Sequence, residues 1–210
     1  MPSPSAPPKK FSRLRHIDQI SASHCGPAVL QMLLENIGVS YSQEAITTAA
    51  GATDTIAEYG TRVDQLAKAV CVLAPGARLW CKEMASLDDV VYVLDEQRYP
   101  VGVEWQGQAG EEDEPSVGEY GHYSIISHVD LARGELIIVD PYKDYAQRDR
   151  IFTVRSFLKR WWDDNTIQDP QTGTLRYKRD ERLFFVVAPA DEPFPADLHM
   201  TALPPARQGA

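Results

Sequence analysis

The chain changes its apolar rhythm once, near Pro100, and that switch narrows the folds open to it. Before it, apolar residues recur at helical spacing. Residues 25–37 place Val29, Met32, Leu33 and Ile37 at i, i+3, i+4 and i+8, one stripe that stops at Gly38. Ser42 supplies an N-cap for a second helix reaching about Ala50, and residues 61–70 repeat the pattern through Val63, Leu66, Ala67 and Val70. Ser86-Leu87-Asp88-Asp89 reads as a capping-box-like start for a fourth segment over residues 87–97. After the switch come β-rich runs at 100–105, 121–129, 135–139, 174–177 and 183–187, interrupted by a short helix over 154–162. Helices first and an antiparallel sheet afterwards predict an α+β fold, with the N-terminal helical part packed on a C-terminal sheet.

Composition bounds the partners. Hydrophobic residues make up 43% of the 210, enough to bury a core and exclude global disorder. A net charge of -9 argues against nucleic acid or an anionic membrane as the main partner. No apolar run approaches the ~20 residues of a membrane span. Residues 1–10 and 190–210 are proline-rich and read as flexible tails around a folded unit at 11–189; residues 1–10 lack the apolar stretch of a secretory signal. The three cysteines contain no CxxC pair, so neither a disulfide framework nor a metal site is expected, and Cys71 and Cys81 read as structural thiols. No Gly-rich phosphate loop, HExxH or GxSxG is present, and no cofactor is expected. These features predict a soluble protein of a reducing, cytoplasmic compartment.

Chemistry concentrates at Gln19-Ile20-Ser21-Ala22-Ser23-His24-Cys25-Gly26-Pro27-Ala28. Cys25 stands at the head of an amphipathic helix, and Pro27 suits a first helical turn because its missing N–H would have no intrahelical partner. A thiol there faces the positive end of the helix dipole, which favours the thiolate, the nucleophilic form. The same unpaired N–H groups can stabilise an oxyanion, and the Gln19 side chain can add a donor. An isolated cysteine at a helix start is more often a packed one.

A thiolate nucleophile needs a base, and the base needs an orienting group. Among the five histidines, His122 opens a strand in Gly121-His122-Tyr123-Ser124. Asp140 ends the next one, before Pro141. A hairpin turning around residues 131–134 would put both at its open end, where cross-strand neighbours stand ~5 Å apart. His128 shares strand parity with His122 and reads as a core or rim histidine. Phe157, Trp161 and Trp162 read as a packing cluster.

Gln-x5-Cys-Gly-Pro-Ala on a helix, then Gly-His-Tyr, then Val-Asp-Pro, resembles the C39-like branch of papain-fold cysteine peptidases, which includes bacterial peptidases that process bacteriocin leaders. The resemblance runs over most of residues 19–161. It implies that Cys25 is the nucleophile, His122 the general base, Asp140 the orienter and Gln19 the oxyanion donor. It implies a stand-alone peptidase that hydrolyses a peptide or isopeptide bond of a peptide or protein substrate. An acyltransferase or amidase on the same fold, and a non-catalytic peptide-binding module, are the alternatives. The run Glu111-Glu112-Asp113-Glu114, shortly before His122, reads as a solvated loop, with a charged lid that favours basic substrates as the alternative.

Overall fold

A computed structural model describes residues 14–107, 121–145, 148–169 and 171–203. The acidic run at 111–114 and the N-terminal segment 1–10 lie outside them. In chain order the elements are α1 (Cys25–Asn36), α2 (Gln43–Ala50), α3 (Ile56–Tyr59), α4 (Val63–Leu73), β1 (Ala77–Lys82), α5 (Leu87–Asp95), β2 (Val101–Gln106), β3 (Gly121–Asp130) and β4 (Glu135–Val139). They continue with β5 (Asp149–Thr153), α6 (Val154–Arg160), β6 (Trp162–Gln168), β7 (Leu175–Glu181), β8 (Phe184–Pro189) and β9 (Thr201–Ala202). The fold is a mixture of helices and antiparallel sheet, as the sequence predicts.

Local chemistry sets the helix ends. Ser42 Oγ accepts from Ala45 N at the head of α2, and Gly51 closes that helix in the left-handed region. Ser86 and Asp89 exchange reciprocal bonds at the head of α5, the capping box read from the sequence. Helix α1 goes beyond its predicted stripe: Leu30 and Leu34 are buried as well as Val29, Met32 and Leu33. A helix apolar on most sides belongs in the middle of a core, and α1 lies there, between α2, α4 and the sheet.

The main sheet has the order β5-β4-β3-β2-β8-β1-β9, antiparallel throughout, and β6 and β7 form a separate hairpin. One sheet face, with Leu79, Tyr123, Ile125, Phe185 and Val187, packs under α1, α2 and α4. The other, with Val103, Trp105, Ile126, Ile138 and Val186, packs under α5 and α6. Phe157 and Trp161 join that second core with ring centroids 5.0 Å apart, as a packing cluster should.

Three strands lack the expected signature. β1 falls inside the helical half, and its ladder partners lie more than a hundred residues away on β8 and β9. β5 buries Arg150 and Phe152 while Ile151 is 66% exposed, an alternation that runs against hydropathy. β6 buries Asp163 and Asn165. The expected flexible tail beyond residue 189 is corrected as far as residue 203. Phe194 packs on Trp80 and Tyr99, Leu198 is buried, and β9 pairs with β1. Irregularly spaced apolar anchors hold this segment, so no period reveals it. Among the described residues no helix is long and apolar enough to cross a membrane.

Candidate active site

Cys25 is the first residue of α1 and is half-buried. His24, at the N-cap, puts no side-chain acceptor on the first helical turn, and no acidic residue stands there. The N–H groups of that turn therefore keep their pull on negative charge. The His24 ring instead meets Ser21 Oγ through Nδ1 at 2.6 Å.

The β3–β4 hairpin does bring His122 and Asp140 together at its open end. His122 Nε2 lies 2.7 Å from Asp140 Oδ1, and the side chains are 1% and 0% exposed. Nε2 being taken, Nδ1 is the ring nitrogen left for Cys25. It is buried and makes no hydrogen bond among the described residues, while Cys25 lies near enough to raise the ring's pKa. Burial pulls the imidazole pKa down, but the charge and hydrogen bond of Asp140, followed by Cys25, outweigh it and hold His122 up at about 10. His122 is therefore held as imidazolium.

Asp140 is held from three sides. Oδ1 also accepts from Tyr142 N at 2.9 Å, and Oδ2 accepts from Arg150 Nη1 at 2.5 Å. Burial raises its pKa, yet His122, Arg150 and the Tyr142 N–H together leave it below the usual carboxylate value. Arg150 also donates to Gly107 O at 2.9 Å and lies 3.8 Å over the Tyr145 ring. Gly107 closes the site from above: a Cβ there would stand 2.8 Å from His122 Cδ2 and 2.7 Å from the Trp105 ring.

Gln19 is nearly buried, and its backbone N–H donates to Pro141 O at 2.8 Å, tying the segment before α1 to the end of β4. One of its Nε2 protons goes to Ser21 O at 2.7 Å, and the other makes no hydrogen bond among the described residues, so it is available to donate. Gln19 lines a cavity of about 200 Å³ with Ser21, Ala22 and Tyr142. Ala22 also borders a second cavity of about 350 Å³ that contains Cys25, Gly60, Thr61, Gly121 and Tyr123.

Cys71 is half-buried, and burial pushes the Cys81 thiol up to about 11, which keeps it protonated. His128 is exposed, not on the His122 face, because the ladder slips between Ile126 and His128. Sequence reasoning missed Arg150 and Gly107. Nothing local marks Gly107, and the one signal for Arg150 is its place between Asp149 and Ile151 in a short run of β-forming residues.

A helix-borne cysteine packed against an antiparallel sheet that carries a buried histidine–aspartate pair defines the papain-like class of fold. The sequence model of the Peptidase_C39 like family matches residues 11–168, and the chain belongs to that family. Among solved structures, the peptidase domain of Streptococcus ComA, a bifunctional ABC transporter involved in a quorum-sensing pathway, is 20% identical with a TM-score of 0.55, and the match covers 84% of this chain and 99% of that one. A double glycine motif protease from an AMS/PCAT transporter, in complex with its leader peptide, is 16% identical with a TM-score of 0.49 and coverages of 85% and 96%. A comparison with curated proteins gives no match.

Proposed function

We propose that this chain is a cysteine peptidase that cleaves a peptide or isopeptide bond through Cys25, His122 and Asp140. The observation that carries the reading is the buried imidazole of His122, held through Nε2 by Asp140 at 2.7 Å and leaving Nδ1 without a hydrogen-bond partner among the described residues. Membership of a peptidase family supports it.

Cys25 thiolate attacks the scissile carbonyl carbon, and charge collects on the carbonyl oxygen. The free Nε2 proton of Gln19 and the first-turn N–H groups of α1 stabilise that charge. His122 gives its proton to the leaving amine as the C–N bond breaks, which leaves a thioester on Cys25. His122 then takes a proton from water, whose oxygen displaces the thiolate and releases the acid. Asp140 holds the imidazole in orientation throughout and stabilises its charged form. Three unpaired cysteines suit a reducing, cytoplasmic setting.

The test is alkylation of the native protein with iodoacetamide near neutral pH, mapped by mass spectrometry. Cys25 is modified first, and His122→Ala slows that modification. Preferential labelling of Cys71 or Cys81 would sink the assignment. Adding an amine acceptor during peptide turnover separates hydrolysis from acyl transfer, because a transferase diverts the acyl group to the amine.

A further inference from the structure

A buried glutamine that the mechanism does not use reaches into the segment carrying Gln19. Gln43, the first residue of α2, is 3% exposed. Its Oε1 accepts from Ile20 N at 3.0 Å, and its Nε2 donates to Asp18 O at 2.9 Å. One side-chain amide thus pairs with the backbone before and after Gln19, as a neighbouring strand would. The same Nε2 donates to Gln31 Oε1 on α1 at 3.3 Å, so the segment, α2 and the helix that bears Cys25 meet at one side chain. Among the described residues, every hydrogen bond of the Gln43 side chain runs to that segment or to α1. Gln19 N, between the two clamped groups, donates to Pro141 O at 2.8 Å.

The Gln19 side chain is held by a different device. Its Nε2 donates to Ser21 O at 2.7 Å, and Ser21 O also accepts from His24 N at 3.2 Å. Ser21 Oγ meets His24 Nδ1 at 2.6 Å and accepts from Ser23 N at 3.3 Å. These bonds close residues 21–24 into a turn that leads directly into Cys25. The two protons of a primary amide lie in one plane at a fixed angle, so anchoring one of them aims the other. A donor to an oxyanion is effective only when it is already in place as the charge develops, and a free glutamine side chain is not.

We propose that Gln43 and the Ser21–His24 turn are positioning elements for the oxyanion donor. Gln43 fixes the Gln19 backbone against α1, and the turn aims the free Nε2 proton at the carbonyl that Cys25 attacks. The proposal rests on the peptidase reading above, in which Gln19 is that donor. Gln43, Ser21 and His24 act through Gln19 and not on the reacting atoms.

Turnover of p-nitrophenyl acetate tests this without a known peptide. The Cys25 sulfur bonds to the acetyl carbon, charge passes through the carbonyl oxygen, and p-nitrophenolate leaves with the electron pair of the broken C–O bond. Its release, corrected for that of the Cys25→Ala protein, gives the acylation rate. Iodoacetamide is the control: the same sulfur displaces iodide at a saturated carbon, and no oxyanion forms. Acylation divided by alkylation therefore reads oxyanion stabilisation apart from the state of the thiol. Gln19→Ala should lower that ratio roughly 10²-fold. Gln43→Met and Ser21→Ala should each lower it roughly 10-fold, the effect of a misplaced group, and neither should lower it further once Gln19 is alanine. If Gln43→Met fails to fold, Gln43→Glu, which keeps the acceptor for Ile20 N, takes its place beside Ser21→Ala at its exposed position. A ratio unchanged in the Gln43 and Ser21 variants, or falls of equal size with and without Gln19, would overturn the positioning role alone. An unchanged ratio in Gln19→Ala would remove the donor and its positioning together, with Cys25 and His122 left standing. Acylation no faster than in Cys25→Ala would overturn the peptidase reading itself.

Discussion

The two halves that meet at the site are built on opposite principles. On the helical side, Cys25 is presented by one element, half-buried beside an open cavity, and its setting comes from the start of α1 within a few residues in sequence. On the sheet side, His122, Asp140 and Arg150 come from three different strands or strand ends and are almost wholly buried. Arg150 joins Asp140 to Gly107, so the histidine–aspartate pair is locked by contacts 10 and 43 residues apart. Under the proposed reading the contrast is a division of labour: Cys25 stays accessible to substrate, while His122 is buried and held in one orientation. A base that must hold one orientation gains from burial, provided that its charges are matched.

The most severe break is removal of either half. Cys25→Ala or His122→Ala should lower kcat by about 10⁴-fold or more, because the two act as a unit, and Asp140→Asn should leave some activity. The assay is hydrolysis of the fastest-cleaved member of a peptide library. Full activity in His122→Ala would dissolve the comparison, because the buried side would then have no part in the chemistry.

Arg150→Met tests whether the buried side depends on charge matching. It leaves Asp140 with a single charged partner in a closed interior, and breaking such a pair costs about 3–5 kcal/mol, readable as a lower urea midpoint. With Arg150 gone the Asp140 pKa rises, so the acid limb of the rate profile should move to higher pH. A loss of stability with an unchanged acid limb would make Arg150 a packing residue only.

Gln19→Ala sharpens the helical side. It should lower kcat by roughly 10²-fold with KM little altered, the usual cost of one oxyanion donor. An unchanged kcat would leave stabilisation to the α1 N–H groups alone.

A separate effect is the pH dependence of stability. His122 titrates at about 10 in the folded protein, against ~6.5 when unfolded. A raised pKa means that its contribution is whole below ~6.5 and is lost as pH climbs through about 10. Unfolding free energy should therefore fall across that window, by at most about 1.4 kcal/mol per pH unit from this group, and His122→Gln should flatten the fall. A wild-type profile as flat as the variant's would argue that the imidazole is neutral in the folded protein.

What could be read from sequence has a common physical character: it is set within about one helical turn or one hairpin. Ser42, Gly51 and the Ser86–Asp89 box mark helix ends because caps bond to backbone three or four residues away. Cys25 is legible at a helix head, and the His122–Asp140 neighbourhood follows from one hairpin with a short turn. Tertiary structure alone decided the rest. β1 needed partners from the far end of the chain before its half-buried Arg78-Leu79-Trp80 run could become a strand in the sheet. β5 carries its arginine inward because Asp140, Gly107 and the Tyr145 ring wait there, and hydropathy cannot announce a charge that is buried only because it is matched. The acids of β6 look like a solvated strand until the fold sets Asp163 against Gly121 and turns a polar hairpin into the wall of a cleft. Caps and periods are local energies and are written locally; ion-pair networks and cavity walls join residues distant in the chain and exist only once the chain has closed on itself.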